Sequence, residues 1–379
     1  MAAMSVRTWD IFCRVVDNLG DIGVCWRLAA DLAARGDPVR LWTDDASALA
    51  WMAPLGAPGV SVREFEAAGA DVAPGGVVVE AFGCDPPEGF IQRMAAMPVS
   101  PVWVNLEYLS AEDFVERSHA LSSPQMSGPG AGLLKWFFYP GFTMATGGLI
   151  REPGLVARQK AFDRDAWLAT LSTDRERGFI RRARERVVSL FCYEQPALPA
   201  LIDALSNEPT LLLAAGGYAA RQVTALLGPS LHRGQLRAVA LPQLTQIDYD
   251  HLLWTSDLNF VRGEDSFVRA QWAGAPFVWQ IYPQDDCAHR FKLEAFMRLH
   301  ASTAGDDGLA GSVHRLWRRW NQGAAAVATD LPNPWPNESP IDVPEAAAWH
   351  RWSLRWREAL LAQPDLVTSL IRFADEKQR

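Results

Sequence analysis

Residues 259–274, with the sequence NFVRGEDSFVRAQWAG, are the most informative stretch of the chain. The apolar residues before Arg262 predict the end of a strand, the polar residues 262–266 predict a tight turn, and the remainder predicts a helix that stops at Gly274. A helix that begins at Glu264, Asp265 and Ser266 presents unpaired backbone N–H groups in its first turn. These groups favour anions, phosphate above all, so the stretch predicts a phosphate-binding turn.

A second strand–turn–helix pattern, DNLGDIG, lies at residues 17–23. It has neither the Gly-x-Gly-x-x-Gly of dinucleotide-binding turns nor the Gly-Lys-Ser/Thr of a Walker loop. Asp17 and Asp21 flank its glycine, where one carboxylate can act as a general base or hold a cationic acceptor group. The alternative is that both aspartates cap the helix, just as the turn at 262–266 can be a simple cap with a surface arginine. Two such turns, one in each half, predict a cleft enzyme that acts on a phosphate-bearing donor.

Composition narrows the class of protein. At 379 residues the chain is long enough for two domains, and its 49% hydrophobic and 21% charged residues indicate a globular protein. The net charge of −8 argues against nucleic acid as the main partner. We expect no membrane partner, because no apolar run approaches the roughly 20 residues of a bilayer span. The N-terminal residues lack the apolar segment of a signal peptide, so we expect a cytoplasmic location.

The five cysteines and the acidic pairs give little support for a metal site. Cys13, Cys25, Cys84, Cys192 and Cys287 form no Cys-x-x-Cys pair, and we expect them to be reduced core residues. Asp248-Tyr-Asp250 could hold a divalent metal, as in some sugar transferases, but aspartates at a helix start explain it more simply. The sequence therefore predicts neither a metal nor another cofactor.

Strand and helix patterns alternate along both halves of the chain, which is typical of doubly wound α/β domains. Ligands of such domains bind at the carboxyl ends of the strands. Residues 122–154 are rich in Gly, Pro and aromatics, and no regular structure is predicted there. Strands are predicted at residues 9–16, 39–42, 60–65, 77–82, 102–106, 187–192, 210–215, 236–241, 258–261 and 277–281. Helices are predicted at residues 22–35, 198–205, 249–254, 267–273, 289–299 and 349–374.

Four segments resemble the bacterial protein-arginine rhamnosyltransferases that modify elongation factor P, the EarP family. They are WDIFCRVVDNLGDIGVCWRL at 9–28, YDHLLW at 249–254, DLNFVRGEDSFVRAQWAG at 257–274 and WQIYPQ at 279–284. Leu19 departs from the family, in which an aromatic residue is expected. The resemblance implies a GT-B glycosyltransferase with two facing Rossmann-like domains and a central cleft. It assigns residues 1–155 to the acceptor side with the catalytic Asp and 156–355 to the donor, with a helix at 356–379 as a candidate for packing back on the first domain.

The resemblance also implies the reaction and its residues. The donor would be dTDP-β-L-rhamnose and the acceptor one arginine of elongation factor P, modified with inversion and without a metal. Asp21 would be the general base, Asp17 its partner in orienting the guanidinium, and Glu264 the second catalytic carboxylate. Phe191 would help to seat the thymine. The implied donor-binding residues are Asn18, Leu19, Gly20, Asp21, Phe191, Tyr193, Gln246, Arg262, Gly263, Glu264, Asp265 and Ser266.

Two other functions stay open. One is a GT-B transferase with another donor or acceptor, such as an enzyme of the cell envelope, although the chain shows no convincing basic amphipathic helix for a membrane surface. The other is a nucleotide-sugar-binding protein without catalysis. Asp17, Asp21 and Glu264 count against it, because a pure binder has no need of three cleft carboxylates.

Overall fold

The computed structural model describes residues 7–16, 19–171, 181–284, 288–322 and 341–378. Backbone contacts divide the chain into two units, Met1–Pro153 with Leu360–Arg379, and Gly154–Ala359. Each unit is built on one largely parallel sheet. Within the described ranges, no helix is long and apolar enough to cross a membrane.

The first unit has a seven-stranded sheet in the order β3-β2-β1-β4-β5-β7-β6. All of its strand pairs are parallel except β6 with β7. Its elements are β1 (Trp9–Cys13), α1 (Gly20–Ala34), β2 (Val39–Thr43), α2 (Leu49–Met52), β3 (Val60–Glu64), β4 (Val77–Ala81), α3 (Glu88–Ala96), β5 (Val102–Leu106), α4 (Asp113–Ser118), β6 (Ser122–Pro124) and β7 (Leu134–Phe138).

The second unit has a six-stranded sheet in the order β10-β11-β9-β8-β12-β13, parallel except for β10 with β11. Its elements are α5 (Leu155–Lys160), α6 (Arg164–Thr170), β8 (Arg186–Leu190), α7 (Leu198–Leu205), β9 (Thr210–Ala214), α8 (Tyr218–Leu227), β10 (His232–Arg233), β11 (Leu236–Ala240), α9 (Gln246–Thr255), β12 (Leu258–Arg262), α10 (Asp265–Ala273), β13 (Phe277–Gln280), α11 (Ala288–Ala301), α12 (Asp307–Asn321) and α13 (Ala346–Leu361).

The central strands β1, β4 and β5 of the first unit are buried on both faces, as expected of parallel strands. Successive residues of β1 point to opposite faces: Ile11 packs in one apolar cluster and Phe12 in the other. Phe12 stacks on Trp42 with ring centroids 5.9 Å apart. Two helical or loop layers around one sheet confirm the predicted doubly wound α/β class.

A final helix, α14 (Leu366–Lys377), completes the first unit. Its Val367 and Leu370 are fully buried in the same cluster as Ile22 of α1 and Val79 of β4. The prediction of one continuous helix at 349–374 was wrong, because Pro364 interrupts it. Asp365 begins the new helix by accepting a hydrogen bond from the Thr368 backbone N–H at 2.8 Å.

Some elements differ from the prediction. Residues 122–154, for which no regular structure was expected, contain the hairpin strands β6 and β7. Helices α8 and α12 were not predicted, and strand β1 ends at Cys13 rather than at Val16. Helix α10 begins at Asp265, two residues before the predicted start. The hairpin lacks a clear period-two pattern, and α8 follows a Gly-Gly pair that suggested only a turn.

Candidate functional site

In the first unit, the turn between β1 and α1 brings Asp21 to the carboxyl edge of the sheet. Asp21 is only 3% exposed and lies in the first turn of α1. Its Oδ2 accepts a hydrogen bond from the Val16 backbone N–H at 2.8 Å, and its Oδ1 accepts one from the Tyr108 hydroxyl at 3.4 Å. Leu19 is the N-cap residue, and among the residues that the structure describes no side chain makes a capping hydrogen bond. Asp21 is therefore not the N-cap residue, and the alternative that both aspartates cap the helix stays open for Asp17.

The other predicted residues of this turn divide into two groups. Leu19 and Gly20 lie directly before Asp21, where the helix starts. Asp17 and Asn18 lie outside the described residues, so their predicted roles stay predictions.

Tyr108 was not predicted as a site residue. It follows β5, and its ring stacks on that of Phe82, which follows β4, with centroids 4.3 Å apart and an interplanar angle of 13°. Phe82 has a φ of 59°, in the left-handed region that bulky residues rarely adopt. Its backbone N–H donates to the Leu106 carbonyl at 2.7 Å. The signal in the sequence was that Phe82 ends one predicted strand and Tyr108 comes two residues after the end of the next predicted strand.

A buried carboxyl lies one residue before the end of β4. Glu80 is fully buried, and burial raises its pKa to about 8 against the opposing charge of Lys135. The Lys135 Nζ lies 2.9 Å from Glu80 Oε2 and 3.0 Å from Asp85 Oδ1. These side chains connect β4 with β7, and the proximity of these two strands could not be predicted from the sequence.

Four of the five cysteines are free and buried, namely Cys13, Cys25, Cys84 and Cys192, which confirms the prediction for them. Cys287 lies outside the described residues. The neighbouring Cys13 thiol and burial hold the pKa of Cys25 well above its ordinary value, and burial raises the pKa of Cys192 to about 12. The thiols of Cys25 and Cys192 are therefore protonated and poorly suited to nucleophilic chemistry.

In the second unit, Arg262 is the last residue of β12 and is 7% exposed. Its guanidinium carbon lies over three aromatic rings, 4.5 Å from the centroid of Phe191, 4.2 Å from Tyr193 and 5.6 Å from Tyr218. Its Nη1 is buried and finds no hydrogen-bond partner among the residues that the structure describes. The fold thus brings together three of the predicted donor residues, Phe191, Tyr193 and Arg262.

The turn after Arg262 is fixed by backbone contacts. Gly263 has a φ of +66°, and its N–H donates to the Gln280 carbonyl at 3.2 Å, while its carbonyl accepts from the Trp279 Nε1 at 2.8 Å. Glu264 is the N-cap residue of α10, with Asp265 and Ser266 in the first turn. The Ser266 hydroxyl accepts from the Arg262 N–H at 3.1 Å and donates to the Arg262 carbonyl. The helix start is therefore rigidly attached to the strand.

The neighbouring strand and helix supply the remaining predicted residues. The Phe191 N–H donates to the Phe260 carbonyl at 2.9 Å, and the Tyr193 N–H donates to the Gln280 Oε1 at 2.9 Å. Gln246 is buried at the start of α9, after the N-cap residue Thr245. Tyr249 of α9 packs edge to face on Phe191 at 5.5 Å, and burial raises the pKa of its phenol.

The Asp-x-Asp motif has structural partners. Both oxygens of Asp250 accept hydrogen bonds from the Arg269 guanidinium, at 2.8 and 2.6 Å. Asp248 lies in the first turn of α9, where its carboxylate accepts from the Thr245 hydroxyl at 2.8 Å and from the Trp167 Nε1 at 3.2 Å. Across the described ranges, no three His, Cys, Asp or Glu residues converge as metal ligands. Both aspartates of the motif therefore have structural roles, and Thr245 rather than an aspartate is the N-cap residue of α9.

The chain is similar over nearly its whole length to a family of known enzymes. The profile of the family described as Elongation-Factor P (EF-P) rhamnosyltransferase EarP matches residues 9–375. The protein-arginine rhamnosyltransferase of Pseudomonas aeruginosa is 43% identical over 391 residues, covering 97% of this chain and 99% of the relative. That of Pseudomonas putida is 44% identical over 395 residues, covering 97% and 98%.

Solved structures are similar as well. One described as the structural basis for EarP-mediated arginine glycosylation of translation elongation factor EF-P has a TM-score of 0.62 at 33% identity, covering 98% of this chain and 99% of its own. The spinosyn forosaminyltransferase SpnP has a TM-score of 0.51 at 10% identity, covering 99% and 100%, which concerns the fold alone. These neighbours are GT-B glycosyltransferases, which confirms the predicted fold class.

Proposed function

Because the chain belongs to the EarP family of elongation factor P rhamnosyltransferases, we propose that it transfers L-rhamnose from dTDP-β-L-rhamnose to an arginine side chain of elongation factor P, with inversion at the sugar carbon. The observation that carries the proposal is the family match over residues 9–375. Elongation factor P acts in translation, so the proposal places the enzyme in the cytoplasm. It includes neither nucleic acid nor membrane as a partner, in keeping with the net charge of −8.

Arg262 supports a diphosphate donor. A buried guanidinium nitrogen without an acceptor is costly, and the oxygens of a diphosphate would supply that acceptor with charge assistance. The first turn of α10, which contains Asp265 and Ser266 and follows the N-cap residue Glu264, would supply backbone N–H groups to the same anion. The rings of Phe191 and Tyr193 beside Arg262 offer the apolar surface on which thymine would stack.

The acceptor chemistry calls for carboxylates. An arginine side chain has a pKa of about 12 or more, and its lone pairs are delocalised, so it is a poor nucleophile. We assign Asp21 as the base that accepts its proton, Asp17 as the partner that orients the guanidinium, and Glu264 as the second catalytic carboxylate. Asp21 suits the role because two donors, the Val16 N–H and the Tyr108 hydroxyl, fix its carboxylate.

The transfer is one displacement. A guanidino nitrogen forms a bond to the anomeric carbon while the bond from that carbon to the diphosphate oxygen breaks, and the electron pair leaves with dTDP. The nitrogen gives its proton to the base. A single displacement inverts the configuration and needs no covalent sugar–enzyme intermediate. Arg262 and the α10 amides stabilise the charge on the departing dTDP, so the proposal includes no metal.

Intact-mass spectrometry of elongation factor P, after incubation with the enzyme and dTDP-L-rhamnose in EDTA, tests the proposal. Addition of a single deoxyhexose to an arginine would support three parts of the proposal together: the identity of the donor, the identity of the acceptor and the independence of a metal. A second reaction with a UDP-sugar tests the envelope-enzyme alternative. Donor binding without transfer to elongation factor P would contradict the acceptor, and failure to bind dTDP-L-rhamnose would contradict the donor.

A further inference from the structure

Two aromatic residues beside Asp21 have no role in the reaction as described so far. We propose that the stacked pair Phe82 and Tyr108, here called the aromatic platform, binds the guanidinium of the acceptor arginine, while the Tyr108 hydroxyl positions Asp21. The inference rests on the proposed function for the identity of the acceptor. It adds a binding surface and a positioning residue that the site residues above do not include.

The arrangement of the two rings suits a flat cation. Tyr108 stacks almost parallel on Phe82, at 4.3 Å and 13°, and yet remains 39% exposed. A ring of this size that is stacked on one side and still this exposed offers aromatic surface to a ligand. Planar guanidinium groups stack on aromatic faces through cation–π attraction, which is strongest where water is excluded.

A carboxylate adjoins the aromatic platform. The Tyr108 hydroxyl donates to Asp21 Oδ1 at 3.4 Å, so one residue contributes both an aromatic face and a contact with the predicted base. A face and a carboxylate side by side are complementary to arginine: the face takes the flat cation and the carboxylate takes its N–H groups. A neutral or anionic acceptor would gain nothing from this pair.

The backbone of Phe82 is held in an unfavourable conformation. Its φ of 59° costs about 1–2 kcal/mol for a residue with a Cβ, and glycine would remove that cost. Three hydrogen bonds nevertheless hold the turn, from Phe82 N–H to the Leu106 carbonyl at 2.7 Å, from Cys84 N–H to the Ala81 carbonyl at 3.1 Å and from Gly83 N–H to Asn105 Oδ1 at 3.2 Å. The fold thus places the Phe82 ring under Tyr108 despite the strain.

Two substitutions separate the ring from the hydroxyl. Tyr108→Leu removes both, and Tyr108→Phe removes only the hydroxyl. Phe114→Leu is the matched control, because Phe114 is 40% exposed in the same unit and packs edge to face on Tyr139 at 5.9 Å. The ring at position 114 makes no hydrogen bond to a carboxylate.

The first measurement does not need turnover. Binding of N-acetyl-L-arginine amide, labelled with ¹³C in its guanidino group, is followed by NMR for the wild type and the three variants. Tyr108→Leu should weaken binding about 3- to 30-fold, with Tyr108→Phe and Phe114→Leu within about twofold of the wild type. Equal binding by the wild type and Tyr108→Leu would overturn the platform, whether or not rhamnose is transferred.

The second measurement is kinetic. Tyr108→Leu should raise the KM for elongation factor P and leave the KM for dTDP-L-rhamnose unchanged. Tyr108→Phe should restore the acceptor KM but lower kcat about 3- to 10-fold, because Asp21 loses one of its donors. A Tyr108→Phe enzyme with the wild-type kcat would overturn the positioning role, and this single-atom change keeps the test valid if the leucine variant does not fold. If the wild type binds the arginine ligand but transfers no rhamnose, the proposed function fails and the platform stands.

Discussion

Arg269 and Asp250 form a bidentate ion pair that joins helices α10 and α9, and the two residues are 2% and 6% exposed. Helix α10 is the helix whose first turn carries Glu264, Asp265 and Ser266. The pair therefore helps to hold the predicted phosphate-binding turn in place, from a position outside the turn itself.

Asp250→Asn should lower the free energy of unfolding by about 3–5 kcal/mol, because it removes the negative charge of the carboxylate that pairs with the buried Arg269 guanidinium. Urea unfolding measures the change. Asp203→Asn is the matched control, since the Asp203–Arg233 pair at 2.7 Å is largely exposed, and its loss should cost about 1 kcal/mol or less. Equal effects of the two substitutions would show that the buried pair contributes no more than a surface pair.

Arg262→Met should weaken binding of dTDP-L-rhamnose about 10- to 100-fold, because the donor loses a charge-assisted contact from a desolvated guanidinium. Isothermal titration measures the dissociation constant. Arg221→Met serves as the control, because Arg221 also lies over Tyr218, at 4.8 Å, but is exposed. Donor affinity unchanged in Arg262→Met would remove Arg262 from the donor site.

Asp21→Asn should bind the donor normally but slow rhamnosylation by about 10²- to 10⁴-fold. The asparagine carbonyl can still accept one of the hydrogen bonds that fix Asp21, but the side chain cannot take up a proton. Single-turnover rates from intact-mass spectra, with a donor titration on the same preparation, give both quantities. Near-normal turnover would reject Asp21 as the base.

The histidines of the second unit predict acid sensitivity. His300 is 1% exposed and stacks on Trp352 at 4.2 Å, and burial holds its pKa well below the ordinary value. Burial and the charge of Arg318 lower the pKa of His314 to about 4. The unfolded chain therefore binds more protons than the folded one between about pH 6.5 and pH 4, and the free energy of unfolding falls as the pH drops through this window.

Urea unfolding at pH 7.5, 6.5, 5.5 and 4.5 checks this expectation against His314→Gln. The wild type should lose about 1–3 kcal/mol more than the variant across the window. Parallel curves for the two proteins would show that His314 does not contribute to acid sensitivity.

Structural features that depend on neighbouring residues in the chain could be predicted from the sequence. Alternating apolar runs predicted most strands, and the stretch 259–274 predicted a strand, a turn and a helix that the structure contains. Contacts between distant residues could not be predicted in this way. Tyr108 contacts Asp21 only because β5 and β1 end at the same edge of one sheet. Lys135, which pairs with Glu80, lies on β7, a strand whose sequence shows no clear period-two pattern. The positive φ of Phe82 was equally hidden, since that conformation usually signals glycine.

Helix α14 is among the last residues that a ribosome adds to the chain, although it packs in the core of the first unit. Val367 and Leu370 close a cluster whose other members, such as Ile22 and Val79, are synthesised first. Until α14 has been made, the nascent N-terminal sheet keeps part of its apolar surface in contact with water, while the whole of the second unit emerges. Maturation of the Asp21 side of the enzyme is therefore expected to be post-translational, and a chain stalled before residue 366 would be a substrate for chaperones rather than a half-active enzyme.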